Sequence, residues 1–159
     1  DKRESILGHW RAVHERTGQP FNFTFHMPSD FTYDTEPASR AVRVVRQLSP
    51  AHELAYLKDV QEAFYVKNRD VTRETVLREI AGNQKVDPVL FSEFFRDPRM
   101  KQEIWEEFAQ VRERGVDGFP TLLGRHGRDH FILMHGYQSL EQLIPVIDHW
   151  LTGGKEISV

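Results

Sequence analysis

The hydrophobic period of this chain changes once, and the change limits the folds open to it. Between about residues 34 and 115 the apolar residues recur every three or four positions, as expected for amphipathic helices. After residue 120 two short apolar runs, Thr121–Leu123 and Phe131–Met134, flank a glycine-containing turn and predict an antiparallel hairpin. A last helical pattern follows the hairpin. We therefore expect an α/β chain with a large all-helical block and a terminal strand–strand–helix unit.

Three helix starts in the block are marked by a capping residue followed by proline: Ser49–Pro50, Asp87–Pro88 and Asp97–Pro98. A capping oxygen accepts from a free backbone N–H, and proline at the first helical position loses no hydrogen bond. The same periodicity predicts an opening helix that ends at Gly18 and a helix that begins near Asp34–Thr35. It also predicts a helix from about Thr72 to Gly82–Asn83.

Two segments leave alternatives open. In FNFTFHMP, residues 21–28, phenylalanine alternates with polar residues, which predicts either an extended segment with one buried face or a buried loop. Ser139 and Gln142 match a capping box at the start of the last helix. Pro145 lies within that helix and predicts either a kink or a displaced start.

Composition disfavours several classes of partner. The 159 residues carry a net charge of −3, which provides no basic excess for nucleic acid or for an anionic membrane surface. No stretch approaches the roughly 20 apolar residues that span a bilayer, and DKRESILGHW lacks the apolar centre of a signal peptide. We expect a cytoplasmic protein without nucleic-acid or membrane partners. A signal peptide removed ahead of Asp1 is the open alternative.

Candidate ligands for a metal are sparse. The chain contains no cysteine, so it forms neither a disulfide nor a thiolate site within itself. His126 and His130 are four residues apart, but they lie in a predicted turn and strand without an H-E-x-x-H pattern, and we predict no metal site. His9 and His14 are expected at the surface or its boundary, and a phenylalanine cluster is expected in the core, namely Phe91, Phe94 and Phe95. The stripe of Arg40, Arg43 and Arg46 predicts an exposed helix face, with contact to an acidic group as the alternative.

The stretch GVDGFPTLL, residues 115–123, places Phe119–Pro120 directly before the first strand of the terminal unit. This arrangement resembles the proline loop of the thioredoxin superfamily. The helical block resembles the insertion of its DsbA-like branch, and DTEPASRAV resembles the start of that insertion in FrnE-like and 2-hydroxychromene-2-carboxylate isomerase-like members. The resemblance implies a thioredoxin-like part, residues 1–33 and 116–159, and a helical insertion, residues 34–115. The family's strand, C-x-x-C helix and second strand are expected ahead of Asp1.

The resemblance also implies a function. It gives Gly118, Phe119 and Pro120 a substrate-binding role, with a cis Phe119–Pro120 bond and no catalytic residue in these 159. The first hypothesis is a thiol–disulfide oxidoreductase or protein disulfide isomerase whose catalytic cysteines precede Asp1, acting on thiol- or disulfide-containing peptides or small molecules. The alternatives are a glutathione-dependent isomerase or kappa-class transferase-like protein, or a non-catalytic thioredoxin-fold binding module. No resident cofactor is expected, whereas glutathione as co-substrate and a homo-oligomer both stay open.

An incomplete thioredoxin-like sheet has a consequence for burial. An isolated hairpin is only marginally stable in water, so it needs cover from other elements. If Asp1 is the true start, we expect one face of the hairpin to be poorly covered. The alternatives are that residues ahead of Asp1 or a partner chain supply the cover. Joint exposure of Leu122, Ile132 and Met134 would indicate a truncated sheet, and a fully covered sheet would indicate another fold.

Overall fold

The computed structural model describes residues 2–26 and 28–153, so Asp1, Met27 and residues 154–159 lie outside the described residues. The described chain is mostly helical. Its elements in order are α1 (Lys2–Thr17), α2 (Glu36–Leu48), a 3-10 turn (Pro50–His52), α3 (Glu53–Tyr65), α4 (Glu74–Asn83), α5 (Pro88–Arg96), α6 (Pro98–Glu113), β1 (Thr121–His126), β2 (Asp129–His135) and α7 (Leu140–Leu151). None of the helices in the described part is both long and apolar enough to cross a membrane.

The chain divides into two compact units, residues 1–105 and 106–159. The core of the first unit lies between α2, α3, α4 and α5, and its largest fully buried side chains are Tyr56, Phe91, Leu77, Val44 and Val45. Phe91 and Phe95 are buried and Phe94 packs against them half-buried, which confirms the predicted core cluster. Trp10 of α1 contacts Phe64 of α3 within the first unit. The grouping of residues 1–33 with residues 116–159 in one thioredoxin-like part stays a prediction.

The three proline-marked starts differ in detail. The Asp87 side chain accepts hydrogen bonds from the N–H groups of Val89 and Leu90 and caps α5 as predicted. Asp97 accepts in the same way from the N–H of Arg99 at 2.9 Å. Ser49 does not cap, because its hydroxyl is hydrogen-bonded to the His52 ring and a single 3-10 turn separates it from α3.

The segment Phe21–Phe25 is a turn and loop, not a strand. The Asn22 side chain accepts from the N–H of Thr24, which folds the backbone locally in place of extending it. Phe25 is buried against Trp10, with ring centroids 4.9 Å apart, and Phe21 packs on the same indole. The buried-loop alternative is therefore confirmed.

The arginine stripe on α2 contacts acidic side chains, which is the alternative to simple exposure that the sequence left open. Arg40 has a side chain that is only 15% exposed and pairs with Glu36 one turn before it. Arg43 donates from Nε to Glu103 on α6 at 3.0 Å. Glu36 is a neighbour of Arg40 on the same helix, whereas Glu103 reaches Arg43 only once α2 and α6 have packed.

In the second unit, β1 and β2 form an antiparallel pair that pairs His126 with Asp129 and Thr121 with His135. A register shift between Leu122 and Leu123 interrupts the pairing. The Ser139 capping box is present, and α7 begins at Leu140, so the displaced-start alternative for Pro145 is wrong. The kink stays a prediction.

The hairpin is partly covered within its own unit. Leu133 on β2 is buried, and α7 packs against that strand. Leu122, Ile132 and Met134 are half-buried, so these three side chains are neither exposed together nor fully covered.

Candidate functional site

The candidate site is the loop of residues 115–120 between α6 and β1, which we call the proline loop. Its first residues end α6 in a fixed way. Gly115 has φ +80°, and its N–H donates to the carbonyl of Arg112 while the N–H of Val116 donates to Val111. This is the Schellman pattern, in which glycine adopts the left-handed conformation without a Cβ penalty. The helix end therefore sets the direction in which the loop leaves.

The far side of the loop is held by the hairpin. The N–H of Gly136 donates to the carbonyl of Pro120 at 2.9 Å, and the Thr121 hydroxyl donates to the carbonyl of Gly118 at 2.7 Å. The Phe119–Pro120 peptide bond is cis, in agreement with the expectation from sequence. The backbone is thus fixed on both sides of Phe119.

Phe119 itself is turned outward. Its exposed fraction is 82%, the largest among the exposed large apolar residues of the described chain. Within residues 2–26 and 28–153 its backbone N–H and C=O make no hydrogen bond to the protein. An extended chain lying along this edge can pair with such groups, because main-chain hydrogen bonds supply affinity wherever a free edge is available.

A charged pair lies at the base of the loop. Nε2 of His135, the last residue of β2, is 2.8 Å from Oδ1 of Asp117. The hydrogen bond from His135 lowers the pKa of the Asp117 carboxyl, with smaller contributions from the Asp117 backbone N–H and the charge of the imidazole. The pair attaches the loop to the end of the hairpin and keeps a carboxylate at the surface.

The structure brings together the three residues named from sequence, Gly118, Phe119 and Pro120, and adds Asp117 and His135, which sequence reasoning missed. His135 is the partner of Thr121 directly after the loop only because the strand register shifts, so residue spacing gave no signal for the pair. The predicted surface histidines are exposed, and His126 and His130 lie exposed on the hairpin. The described residues contain no group of three acidic, histidine or cysteine side chains that could hold a metal ion.

The chemistry available here is binding. The loop offers backbone donors and acceptors, one exposed ring and one carboxylate, and the sequence supplies no thiol to attack a sulfur. A thiolate acting at this site would have to come from outside these 159 residues.

The family model for the DSBA-like thioredoxin domain matches residues 10–147 of this sequence. The chain belongs to the DsbA-like thioredoxin family. Its fold is the thioredoxin-like fold of the DsbA type with a large helical insertion, as the sequence predicted.

Solved structures agree with this assignment. A candidate protein disulfide isomerase from Nitrosomonas europaea is 36% identical, with a TM-score of 0.90 over 95% of this chain and 74% of that one. The cytosolic disulfide reductase DsbM from Pseudomonas aeruginosa is 20% identical, with a TM-score of 0.80 over 94% of this chain and 77% of that one. Its structure with GSH is 21% identical, with a TM-score of 0.74 over 91% and 74%. Among curated proteins, no sequence matches the chain.

Proposed function

We propose that this chain is the substrate-binding part of a thiol–disulfide oxidoreductase, of the protein disulfide isomerase or reductase kind, in which the proline loop holds the disulfide-containing substrate. The observation that supports the proposal most directly is the exposure of Phe119. Its ring is exposed, its backbone N–H and C=O make no hydrogen bond within the described residues, and the loop is fixed on both sides of it. The family supports the proposal, since a relative with 36% identity is described as a candidate protein disulfide isomerase.

The proposed reaction is thiol–disulfide exchange. A thiolate attacks one sulfur of the substrate disulfide, forms a mixed disulfide and releases the other substrate sulfur as a thiolate. A second thiol, from the protein or from a co-substrate such as glutathione, then resolves the mixed disulfide. No cysteine occurs in the 159 residues, so the attacking thiolate in this proposal comes from outside them. We further propose a cytoplasmic location, because the structural neighbour DsbM is a cytosolic disulfide reductase.

The substrate in this proposal approaches as an extended peptide along the outer edge of β1. The free N–H and C=O of Phe119 pair with its main chain, and the exposed ring contacts a substrate side chain. Because the backbone recognition is independent of sequence, we expect the protein to accept many disulfide peptides.

The experiment uses the gene-encoded protein that contains these 159 residues and measures reduction of insulin with dithiothreitol as electron source. We expect exchange activity that alkylation of thiols abolishes. Phe119→Ala should lower kcat/KM for a disulfide peptide about tenfold, as for loss of an anchoring aromatic residue. The control is Leu54→Ala, at a residue of the first unit that is 77% exposed, which should leave the rate unchanged.

Two results would contradict the proposal. Absence of thiol exchange in the alkylation-sensitive assay would leave the glutathione-dependent isomerase-like or non-catalytic binding alternatives. Exchange that is as fast in Phe119→Ala as in the unaltered protein would remove the loop from the substrate site.

A further inference from the structure

The first unit contains a second feature that the proposed function does not use, a pocket of about 190 Å³. It lies between α2, α3 and the loop before α2, and we call it the α2–α3 pocket. The floor consists of buried apolar side chains, namely Val42, Val60, Phe64 and Val71. The mouth carries exposed and mostly polar side chains, namely Tyr33, Asp34, Thr35 and Gln61. An apolar interior with polar groups at the opening is the usual composition of a small-molecule site.

Aromatic rings form one wall of this pocket. Phe31 is stacked on Phe64, with ring centroids 6.2 Å apart and an interplanar angle of 26°. Tyr33 contacts the same Phe64 ring at 5.8 Å and 73°, an edge-to-face arrangement. Phe64 is itself fixed by Trp10 behind it, at 5.7 Å. A rigid wall of rings favours a planar aromatic ligand, because stacked and edge-to-face contacts add to the free energy of apolar burial.

The side chains that line the pocket carry a negative charge and no positive one. Asp34 is the one lining side chain with a formal charge, and no lysine, arginine or histidine lines the pocket. Burial, with a smaller contribution from the adjacent Tyr33, raises the pKa of Tyr65 to about 12, so this phenol is neutral at physiological pH. A ligand with a carboxylate is therefore repelled by Asp34 and loses its hydration without gaining a cation as partner. A neutral ligand avoids both the repulsion and this desolvation cost.

Hydrogen-bonding capacity is present for a neutral polar group. Thr35, Ser39 and Gln61 line the pocket, and in the part of the chain that the structure describes their side chains make no hydrogen bond. A hydroxyl or an N–H on the ligand finds acceptors there, while its ring lies on the apolar floor. These polar groups give orientation and the floor gives affinity.

We propose that the α2–α3 pocket binds a small uncharged aromatic compound of the phenol or indole class. The size fits, since an engineered apolar cavity of about 150 Å³ is enough to hold benzene, and this pocket has about 190 Å³. The proposal is independent of the proline loop, because all lining residues lie between positions 31 and 72 of the first unit.

The test is calorimetric titration of the protein with indole, and with indole-3-carboxylate as the charged analogue. We expect saturable binding of indole and at least about tenfold weaker binding of the carboxylate. Methyl NMR should show shifts at Val42, Val60 and Val71 on adding indole, because these methyl groups form the floor.

Two variants are designed to fill the pocket or to block its mouth. Ala38→Phe places a ring inside, since Ala38 lines the pocket, and should abolish indole binding. Gln61→Phe blocks the mouth from an exposed position, so it preserves the fold even if the first variant does not. The matched control is Ala55→Phe, at an exposed alanine of α3 outside the pocket lining, which should bind indole as the unaltered chain does.

Three outcomes would overturn the proposal. The first is no binding of indole up to its solubility limit. The second is equal binding of indole and its carboxylate, which would remove the charge argument. The third is binding that folded Ala38→Phe and Gln61→Phe variants retain, which would place the ligand elsewhere.

Discussion

Asp117 and His135 meet at the base of the proline loop, with Oδ1 of Asp117 2.8 Å from Nε2 of His135. Asp117 lies two residues before Phe119, and His135 is the last residue of β2, in register with Thr121. The contact therefore joins the part of the loop that leads to the exposed ring to the end of the hairpin. The Asp117 side chain is 85% exposed and that of His135 is 46% exposed, so the pair orients the loop more than it stabilises the fold.

The first prediction concerns the titration of Asp117. His135→Gln should raise the pKa of the Asp117 carboxyl, because the hydrogen bond from the imidazole holds this pKa below its ordinary value. A lowered folded pKa stabilises the fold at pH above the unfolded value of about 3.9, and this contribution is lost as the pH falls through the folded pKa. Carboxyl carbon NMR measures the titration. His130→Gln on the same strand is the control and should leave the pKa of Asp117 unchanged. If the pKa of Asp117 is also unchanged in His135→Gln, the pair does not form in solution.

The second prediction concerns Gly124, where β1 approaches α7. A Cβ there would lie 2.7 Å from Cε2 of Trp150 and 3.0 Å from Cδ1 of Leu133. Gly124→Ala should destabilise the second unit by about 1–3 kcal/mol, since overpacking forces the ring or the strand to move. The same change at Gly8, where a Cβ meets nothing within 4 Å in the helix α1, should instead stabilise by about 0.8–1.0 kcal/mol. Urea unfolding followed by Trp fluorescence measures both, and an unaffected Gly124→Ala variant would show that the close approach is absent.

The hairpin shows how far the sequence determines the site. The apolar runs and the turn at Gly127 predict both strands, and Phe119–Pro120 indicates where the loop lies. A regular ladder continued from the His126–Asp129 pair would place Met134 opposite Thr121. The shift between Leu122 and Leu123 places His135 there instead. Because a bulge depends on how the strand packs, the Asp117–His135 pair was not predictable from residue spacing.

Arg43 on α2 shows a second limit of sequence-based prediction, which comes from the packing of helices. Local sequence marks Asp87 as a helix cap because the bonding partners are two and three residues away. Arg43 and Glu103 are sixty positions apart, so their contact depends on how α2 and α6 pack. The caps at Asp87 and Asp97 were therefore predictable from residues within one turn, whereas the missing cap at Ser49 and the Arg43–Glu103 contact were not.

The third prediction concerns Tyr56, whose fully buried hydroxyl donates to the carbonyl of Leu77 at 3.0 Å. Tyr56→Phe should cost about 0.5–1.5 kcal/mol of unfolding free energy, the net value of one intramolecular hydrogen bond. Tyr33→Phe, at a side chain that is 50% exposed, is the control and should change it by less than about 0.5 kcal/mol.

The pH dependence gives a second readout at Tyr56. Burial raises the pKa of this phenol well above its ordinary value. A raised folded pKa stabilises the fold fully below the unfolded pKa of about 10, and the contribution is lost as the pH rises further, because the unfolded chain ionises first. The fall in stability of the unaltered protein above that pH should be less steep in Tyr56→Phe. Equal slopes for the two proteins would mean that the hydroxyl is not buried in solution.

The fourth prediction concerns the Glu36–Arg40 pair on α2. Nε of Arg40 lies 2.8 Å from Oε1 of Glu36 in an ionic contact without hydrogen-bond alignment, while another guanidinium nitrogen donates to Oε2 at 3.2 Å. The guanidinium also donates to the carbonyl of Phe95 at 2.7 Å and lies 4.1 Å from the centre of its ring. Glu36 is only 4% exposed, so its carboxylate depends on this partner.

Arg40→Met should therefore cost about 3–5 kcal/mol of unfolding free energy, since it leaves a buried carboxylate without a counter-charge. The double variant Glu36→Gln with Arg40→Met should be less destabilised than Arg40→Met alone, although the contacts to Phe95 are lost in both. Arg69→Met is the surface comparison. Arg69 and Glu79 have side chains that are 30% and 59% exposed, and breaking their pair should cost at most about 1 kcal/mol. Urea unfolding of the four proteins measures these differences. If the double variant is no more stable than the single one, the cost of Arg40→Met comes from its lost contacts with Phe95 and not from the unpaired carboxylate.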